Sequence, residues 1–369
     1  MRFTLTTEQL QSLISTVLPA IPSKPTLPVL ANILISAEGN VVTATGTNMD
    51  QSITTVSDCT VSAPGSCCVN AKRLQQLARE LPKTAAVTLE RKQSMLTVTY
   101  PNGSAEFGVM AAEDFPSVQG KAEGATILLS SADFMALADK GGFCTATDRT
   151  RMALTGALLE VGDGMAMLVS TDGHRLSTAC LVAGHDTDKA QVIIPATTLA
   201  MADRLANSED LQKIVIGNGV IVFDFGDAML RSKTVEGPYP NYRQVVPTTF
   251  KNFFEADTDE LARAVSRTAT LANAVTRQVR LAFSETGVEL TANNADIGGE
   301  AREQVQGTYQ GEAMQIGMNA AFLSEILRKV DTATVKMEMN EPYSACVIKP
   351  VAGNTPEFTA LVMPLRLND

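Results

Sequence analysis

The densest reactive stretch of the chain is Ser170-Thr171-Asp172-Gly173-His174-Arg175-Leu176, which places a hydroxyl, a carboxylate, an imidazole and a guanidinium in one short run. A hydrolytic triad needs the imidazole between nucleophile and orienting carboxylate in space, and neighbours this close in a turn rarely reach that arrangement. Asp172-Gly173 therefore reads as a tight turn, with His174 a satisfied polar residue. The six cysteines (Cys59, Cys67, Cys68, Cys144, Cys180 and Cys346) have no C-x-x-C spacing. They are expected to be buried thiols of a reducing compartment. With two histidines in the whole chain, a zinc site is not expected. There is no G-x-S-x-G elbow, Walker lysine loop, G-x-G-x-x-G after a strand or H-E-x-x-H. The expectation is a protein without catalysis, cofactor or metal.

The elements that position this stretch come in threes. A chain of 369 residues divides into thirds of about 123, and self-similarity at that period decides architecture before any local reading. Phe3–Ile14, Ile127–Ala138 and Phe253–Val265 each begin with an apolar strand end, continue with a Thr, Ser or Asp able to cap a helix, and carry an apolar stripe at three- and four-residue steps. Val42–Asn48, Leu168–Gly173 and Leu290–Asn294 are alternating strands that run into polar turns. Cys68–Arg79, Ile193–Arg204 and Gln315–Ile326 are strands entering helices, and two strands and a last strand close each unit. The predicted fold is α+β, three tandem domains at 1–124, 125–248 and 249–369. Equal units joined head to tail make an arc, which closes by oligomerisation or propagates as a filament.

Charge narrows the partners. The 30 basic residues are outnumbered by 40 acidic ones, for a formal charge of −10, so no all-over basic surface grips nucleic acid. Any DNA contact must be confined to one face. Lys72 and Arg73, Arg204, and Arg263 with Arg267 fall on predicted helices, as do Arg328 and Lys329. Taken singly these are solvated helix faces, and Glu325 with Lys329 makes an ordinary i, i+4 pair. On helices lining the inside of an arc, the same residues would form a cationic lining. No apolar run approaches the ~18 residues of a membrane span. Glu8, Gln9 and Gln11 interrupt the N-terminal segment where a signal peptide needs an apolar stretch, so a soluble, cytoplasmic protein is expected.

The three repeats, Pro25-Thr-Leu-Pro-Val-Leu, Ala112-Glu-Asp-Phe-Pro, Thr171-Asp-Gly-His-Arg-Leu, Pro240-Asn-Tyr-Arg and the terminal Met363-Pro-Leu-Arg-Leu together closely resemble the bacterial DNA polymerase sliding clamps, over the whole chain. The resemblance implies a non-catalytic DNA replication processivity factor. It would be a head-to-tail homodimer closing as a ring, with antiparallel sheets outside and helices lining the inner face, through which double-stranded DNA passes. The ring would tether the replicative polymerase, the clamp loader and other replication and repair proteins through short peptides. The rival reading is a β-rich homo-oligomeric scaffold that binds peptides and never encloses DNA.

The same resemblance puts Lys24 and Arg151 beside the DNA. Met152-Ala153 replaces an aromatic pair of the family's best-known member, and Ala196-Thr197 a basic pair. The implied partner pocket, where the second and third repeats meet, comprises Leu154, Thr171, Gly173, His174, Arg175, Leu176, Pro240 and Val245 from the middle repeat, and Leu361, Met363, Pro364, Leu365 and Arg366 at the chain end. An apolar pocket rimmed by Arg suits short linear peptides, whereas the same apolar terminus read alone could be a buried chain end. Gln244 stands where the family has a basic residue, and Tyr343 occupies a rim position usually held by a smaller one. The subunit interface would pair an edge strand around Ser104–Met110 with an edge near Thr270–Leu271, burying Phe107 and Leu271. Ala105 and Glu106 replace arginines there, and Arg302 lies between Glu300 and Glu303 on the opposing segment.

Overall fold

A computed structural model describes residues 1–116, 122–183, 188–294, 298–353 and 356–367. Two helices fall in each third: α1 Thr7–Val17 and α2 Ala71–Glu80, α3 Ser131–Gly141 and α4 Ala196–Ala206, α5 Thr258–Thr268 and α6 Ala320–Leu327. Helix starts follow from side chains that accept the otherwise orphaned first-turn amides. Thr6 and Gln9 form a reciprocal capping box at α1, and Asn70, Asp257 and Asn319 cap α2, α5 and α6. The hydroxyl of Ser130 accepts from Asp133 N at 3.1 Å at the head of α3.

The chain forms two compact units. The first comprises Met1–Phe134, Gly184–Ala190 and Thr197–Thr234, and a thirteen-stranded sheet runs through it. Helix α1 packs on strands Val41–Thr47 and Gln51–Asp58 and against α2, burying Leu10, Ile14 and Val17 with Leu74 of α2. Strand Gln51–Asp58, from the first third, pairs antiparallel with Ala228–Lys233 from the second, Gln51 opposite Ser232.

The second unit comprises Met135–Ala183, Gln191–Ala196 and Val235–Asp369. Here Arg175–Val182 pairs with Glu357–Val362, Arg175 opposite Val362. The C-terminal third keeps its own core, with Phe254, Leu261, Val265, Leu281, Leu290, Ile316, Leu323 and Met337 all buried. Phe254 meets Phe283 edge-on at 5.2 Å, and Phe283 stacks on Tyr309 at 5.4 Å. The joining strands Gln51–Asp58 and Arg175–Val182 thus have a third counterpart, Gly299–Gln306, at the same 124-residue spacing. It forms the edge of a four-stranded sheet.

Three expectations need correcting. Thr270–Leu271 is not a strand edge: Ala269–Leu271 is a single 3₁₀ turn continuing from α5. Leu271 instead packs beside Gly299, where a Cβ would lie 3.1 Å from its side chain, so the edge strand next to it is Gly299–Gln306. Glu325 and Lys329 do not pair along α6; each reaches back to the middle third, to Arg175 and Asp139. Four cysteines are buried, but Cys59 and Cys180 are partly exposed. Burial pushes Cys67 up to about 11 and Cys68 up to about 12, which keeps these thiols protonated and unreactive.

Candidate functional site

The stretch singled out by its chemistry folds as a compact turn. Thr171 Oγ1 donates to Arg175 O at 2.7 Å and accepts from Gly173 N at 3.1 Å. Asp172 Oδ1 accepts from the backbone N–H groups of His174 at 2.8 Å and Arg175 at 3.0 Å. Side-chain bonds of this kind give Asp its preference for turns. Gly173 has φ +90°, a left-handed conformation that suits glycine, and the Nη1 of Arg151 lies beside it. The His174 side chain is exposed rather than packed away.

The turn recurs 124 residues earlier. Thr47 Oγ1 donates to Gln51 O and accepts from Met49 N, and Asn48 Oδ1 accepts from Asp50 N and Gln51 N. Met49 sits at φ +79°, the counterpart of Gly173. The two turns differ in the side chain at their last position. Gln51 Nε2 donates to the hydroxyls of Thr197 and Thr198 at 2.7 and 3.0 Å, whereas Arg175 enters a charged cluster.

Arg175 is only 9% exposed. Its Nε donates to Asp172 Oδ2 at 3.0 Å, its Nη1 donates to Glu325, and its plane lies 4.5 Å from the Phe322 ring centroid. Burial works against its charge, but the hydrogen bond to Glu325 leads the contacts that hold it protonated. Arg151, which the resemblance put beside DNA, donates to Asp172 O at 3.2 Å and so buttresses the turn.

Behind the turn lies an apolar floor. Leu158, Val169, Leu176, Ile193, Tyr242, Ala345, Val347 and Leu361 form one buried cluster, and Leu176 stands opposite Leu361 across the strand pair. Leu154 is buried as well. Met363 N donates to His174 O at 2.8 Å, fixing the chain end to the turn while the Met363 side chain stays 40% exposed. Pro240 O accepts from Tyr242 N at 2.8 Å, and the 3₁₀ turn Tyr242–Gln244 that follows leads to Val245, which is 54% exposed. The Tyr242 hydroxyl donates to Glu160 at 2.5 Å and Arg243 donates to the same carboxylate at 2.7 Å. Burial raises the Glu160 pKa, but these bonds outweigh it and hold the carboxyl below its ordinary range.

Pro364 is partly buried and Arg366 exposed. Leu365 pairs by a backbone bridge with Gly317. With Leu367, Leu365 lines a separate cleft of about 380 Å³ beside Asn252, Glu312 and Tyr343. Residues 363–367 are therefore neither free of the fold nor wholly buried in it.

The basic residues named for DNA, Lys24, Lys72, Arg73, Arg204 and Arg263, are all exposed; Arg263 lies 3.6 Å from Asp259 on its own helix. Phe107 is partly buried on strand Gly103–Met110, which pairs with Met95–Tyr100 over Gly103–Gly108 and with Gly65–Asn70 at Val109 and Met110. Sequence reasoning missed Glu325, Phe322 and Glu160. Their only signal was an unexplained carboxylate or ring on a helix or strand, which intrahelical spacing assigns to the wrong partner.

A thrice-repeated α+β unit carrying an apolar surface braced by a hydrogen-bonded turn defines a repeat-built binding protein. Models of the N-terminal, central and C-terminal domains of the DNA polymerase III beta subunit match residues 1–119, 128–241 and 243–366. Beta sliding clamps of Pseudomonas putida and Caulobacter vibrioides are 30% and 31% identical, with each chain covered in full. A solved Pseudomonas aeruginosa sliding clamp bound to griselimycin superposes with a TM-score of 0.93 at 29% identity, and a Caulobacter crescentus clamp does so with 0.93 at 29%, both over 100% of each chain. The chain belongs to the DNA polymerase III beta subunit family, the beta sliding clamps.

Proposed function

We propose that this protein is the processivity clamp of a replicative DNA polymerase, acting in the cytoplasm as a head-to-tail homodimer that encloses duplex DNA. Its three clamp domains span 1–124, 125–248 and 249–369. It works by holding rather than by catalysis, and it gathers the polymerase, the clamp loader and repair proteins at the apolar surface between Leu176, Val245 and Met363. Backbone groups of the Gly173–His174 turn are left to meet an extended peptide of about five residues.

The observation that carries the closed assembly is the third joining strand. Gln51 pairs with Ser232 and Arg175 with Val362, and Gly299 stands at the next 124-residue step. Hairpin registers make Phe107 the counterpart of Ser232, since Met95 opposes Gly108 as Val220 opposes Lys233. The repeat thus pairs Gly299 with Phe107 of a second copy, and the glycine leaves room for that ring beside Leu271. Two such contacts cover both open edges and close the assembly.

Exposed Lys24, Lys72, Arg73, Arg204 and Arg263 are assigned to the DNA side, with Arg151 close to the same path. A closed assembly retains DNA by topology, so a sparse lining suffices in a protein of charge −10. Loading the protein on nicked circular DNA tests the proposal. It should stay on the circle and leave once the DNA is linearised; equal loss from both forms would favour the scaffold that binds peptides without enclosing DNA.

A further inference from the structure

We propose that Glu325, on α6, is the positioning residue of the peptide-binding turn, acting through Arg175. The inference rests on the partner-site reading above and extends it to a residue outside the site's apolar surface.

Asp172 divides its oxygens. Oδ1 holds the backbone amides of His174 and Arg175, and Oδ2 accepts from Arg175 Nε at 3.0 Å. The orientation of this carboxylate, and with it the turn, depends on where the guanidinium is held. Within the turn nothing fixes that guanidinium except Asp172 itself. Glu325 supplies the second anchor by accepting from Nη1, and Phe322, one helical turn earlier, supports the guanidinium face at 4.5 Å. A planar fork with two carboxylates and a ring has little freedom left. Arg175 is 9% exposed and its Nε and Nη1 are already engaged, which suits a brace rather than a ligand contact.

The first third of the chain supports the same logic. Its copy of the turn is also pinned by the residue at the Arg175 position, where Gln51 reaches Thr197 and Thr198 on α4. There the anchor is a pair of neutral hydroxyls; in the second unit it is one carboxylate, so a single substitution removes it. Other ion pairs link α3 to the segment just after α6, Lys140 with Asp331 at 2.6 Å and Lys329 with Asp139. Neither touches Asp172 or Arg175, and they serve as controls.

The full chain should be compared as Glu325→Ala, Glu325→Gln and Asp331→Ala. Three readouts apply: hydrogen exchange of the His174 and Arg175 amides in the free protein, affinity for a pentapeptide with one Gln and two apolar side chains, and the melting temperature. Ordering a turn on binding costs affinity, so Glu325→Ala should bind about tenfold more weakly and exchange those amides faster. Glu325→Gln, which still accepts from Arg175, should recover most of both. Asp331→Ala should lower the melt and leave the other two readouts at wild-type values. The proposal fails if Glu325→Ala retains wild-type exchange at His174 and Arg175, or if Asp331→Ala matches it in exchange and affinity. A wild type that ignores the peptide rejects the partner site instead, while exchange in the free protein still decides the role of Glu325. Should Glu325→Ala not fold, Glu325→Asp takes its place, because its shorter side chain keeps the charge but draws the carboxylate back from Arg175 Nη1: wild-type exchange at His174 and Arg175 in that variant overturns the idea, and faster exchange confined to the turn supports it.

Discussion

Met363 shows how one residue would serve both the fold and the proposed partner site. Its N–H is committed to His174 O, so the backbone is fixed while the side chain stays 40% exposed, the kind of soft apolar group that can repack for different peptides. Met363→Glu should leave the melt near that of wild type, because the new carboxylate stays hydrated in the free protein. Peptide binding would strip that hydration, and an unpaired buried charge costs several kcal/mol, on the order of a thousandfold in affinity. Calorimetric titration beside a thermal melt separates the two effects; collapse of the melt would mean that the terminus is mainly structural. Glu160 behaves differently. Its pKa is held down by Arg243 and Tyr242 against the effect of burial, so its contribution to stability is present at neutral pH and is lost as pH falls through the depressed folded value. Glu160→Gln should cost about 1 kcal/mol at pH 7, and the gap between mutant and wild-type melts should close as pH falls through that depressed folded value.

Among the elements, strand and helix patterning was readable in the chain because each repeat writes it again. The capped starts at Thr6, Ser130 and Asp257 and the apolar stripes behind them marked α1, α3 and α5. What sequence could not supply was the partner of each edge. The edge that the resemblance put near Thr270–Leu271 lies on the neighbouring strand Gly299–Gln306, because Ala269–Leu271 follows α5 directly and tightens into a 3₁₀ turn beside Gly299. Glu325 and Lys329 satisfy helical spacing, yet both find stronger partners across the joint. The turn at Asp172-Gly173 was legible from residue types, since Asx side chains bond their own backbone; the burial of Arg175 was not, because it depends on Phe322 from a distant segment. At this scale the testable element is the open stretch of Gly103–Met110. Phe107→Asp would set a carboxylate against Gly299 and Leu271 of a second copy, and equilibrium sedimentation at micromolar concentration should then show monomer. A variant that remains wholly dimeric would place the interface elsewhere.

At the scale of the whole molecule, a charge of −10 and a task on DNA fit together only if attraction and retention are separate. Retention through phosphate contacts would weaken steeply with salt, roughly in proportion to the number of contacts on logarithmic axes, and many contacts would also oppose sliding. Enclosure removes that coupling: the exposed cations of α2, α4 and α5, proposed above to face the DNA, would need only to favour entry and centre the duplex. Changing Lys72, Arg73, Arg204 and Arg263 together to Glu should therefore slow loading, most of all at low salt where the new repulsion is least screened. The melt should change little, because exposed charges contribute little to folding. Protein already closed on a nicked circle should behave otherwise. Its half-life there should match that of wild type and stay nearly flat as salt rises, whereas linearisation should release both at once. Loading that is unchanged in the combined variant would remove these helices from the DNA side, and a circle-bound lifetime that falls with salt as steeply as wild-type loading does would mean that contacts, not closure, hold the DNA.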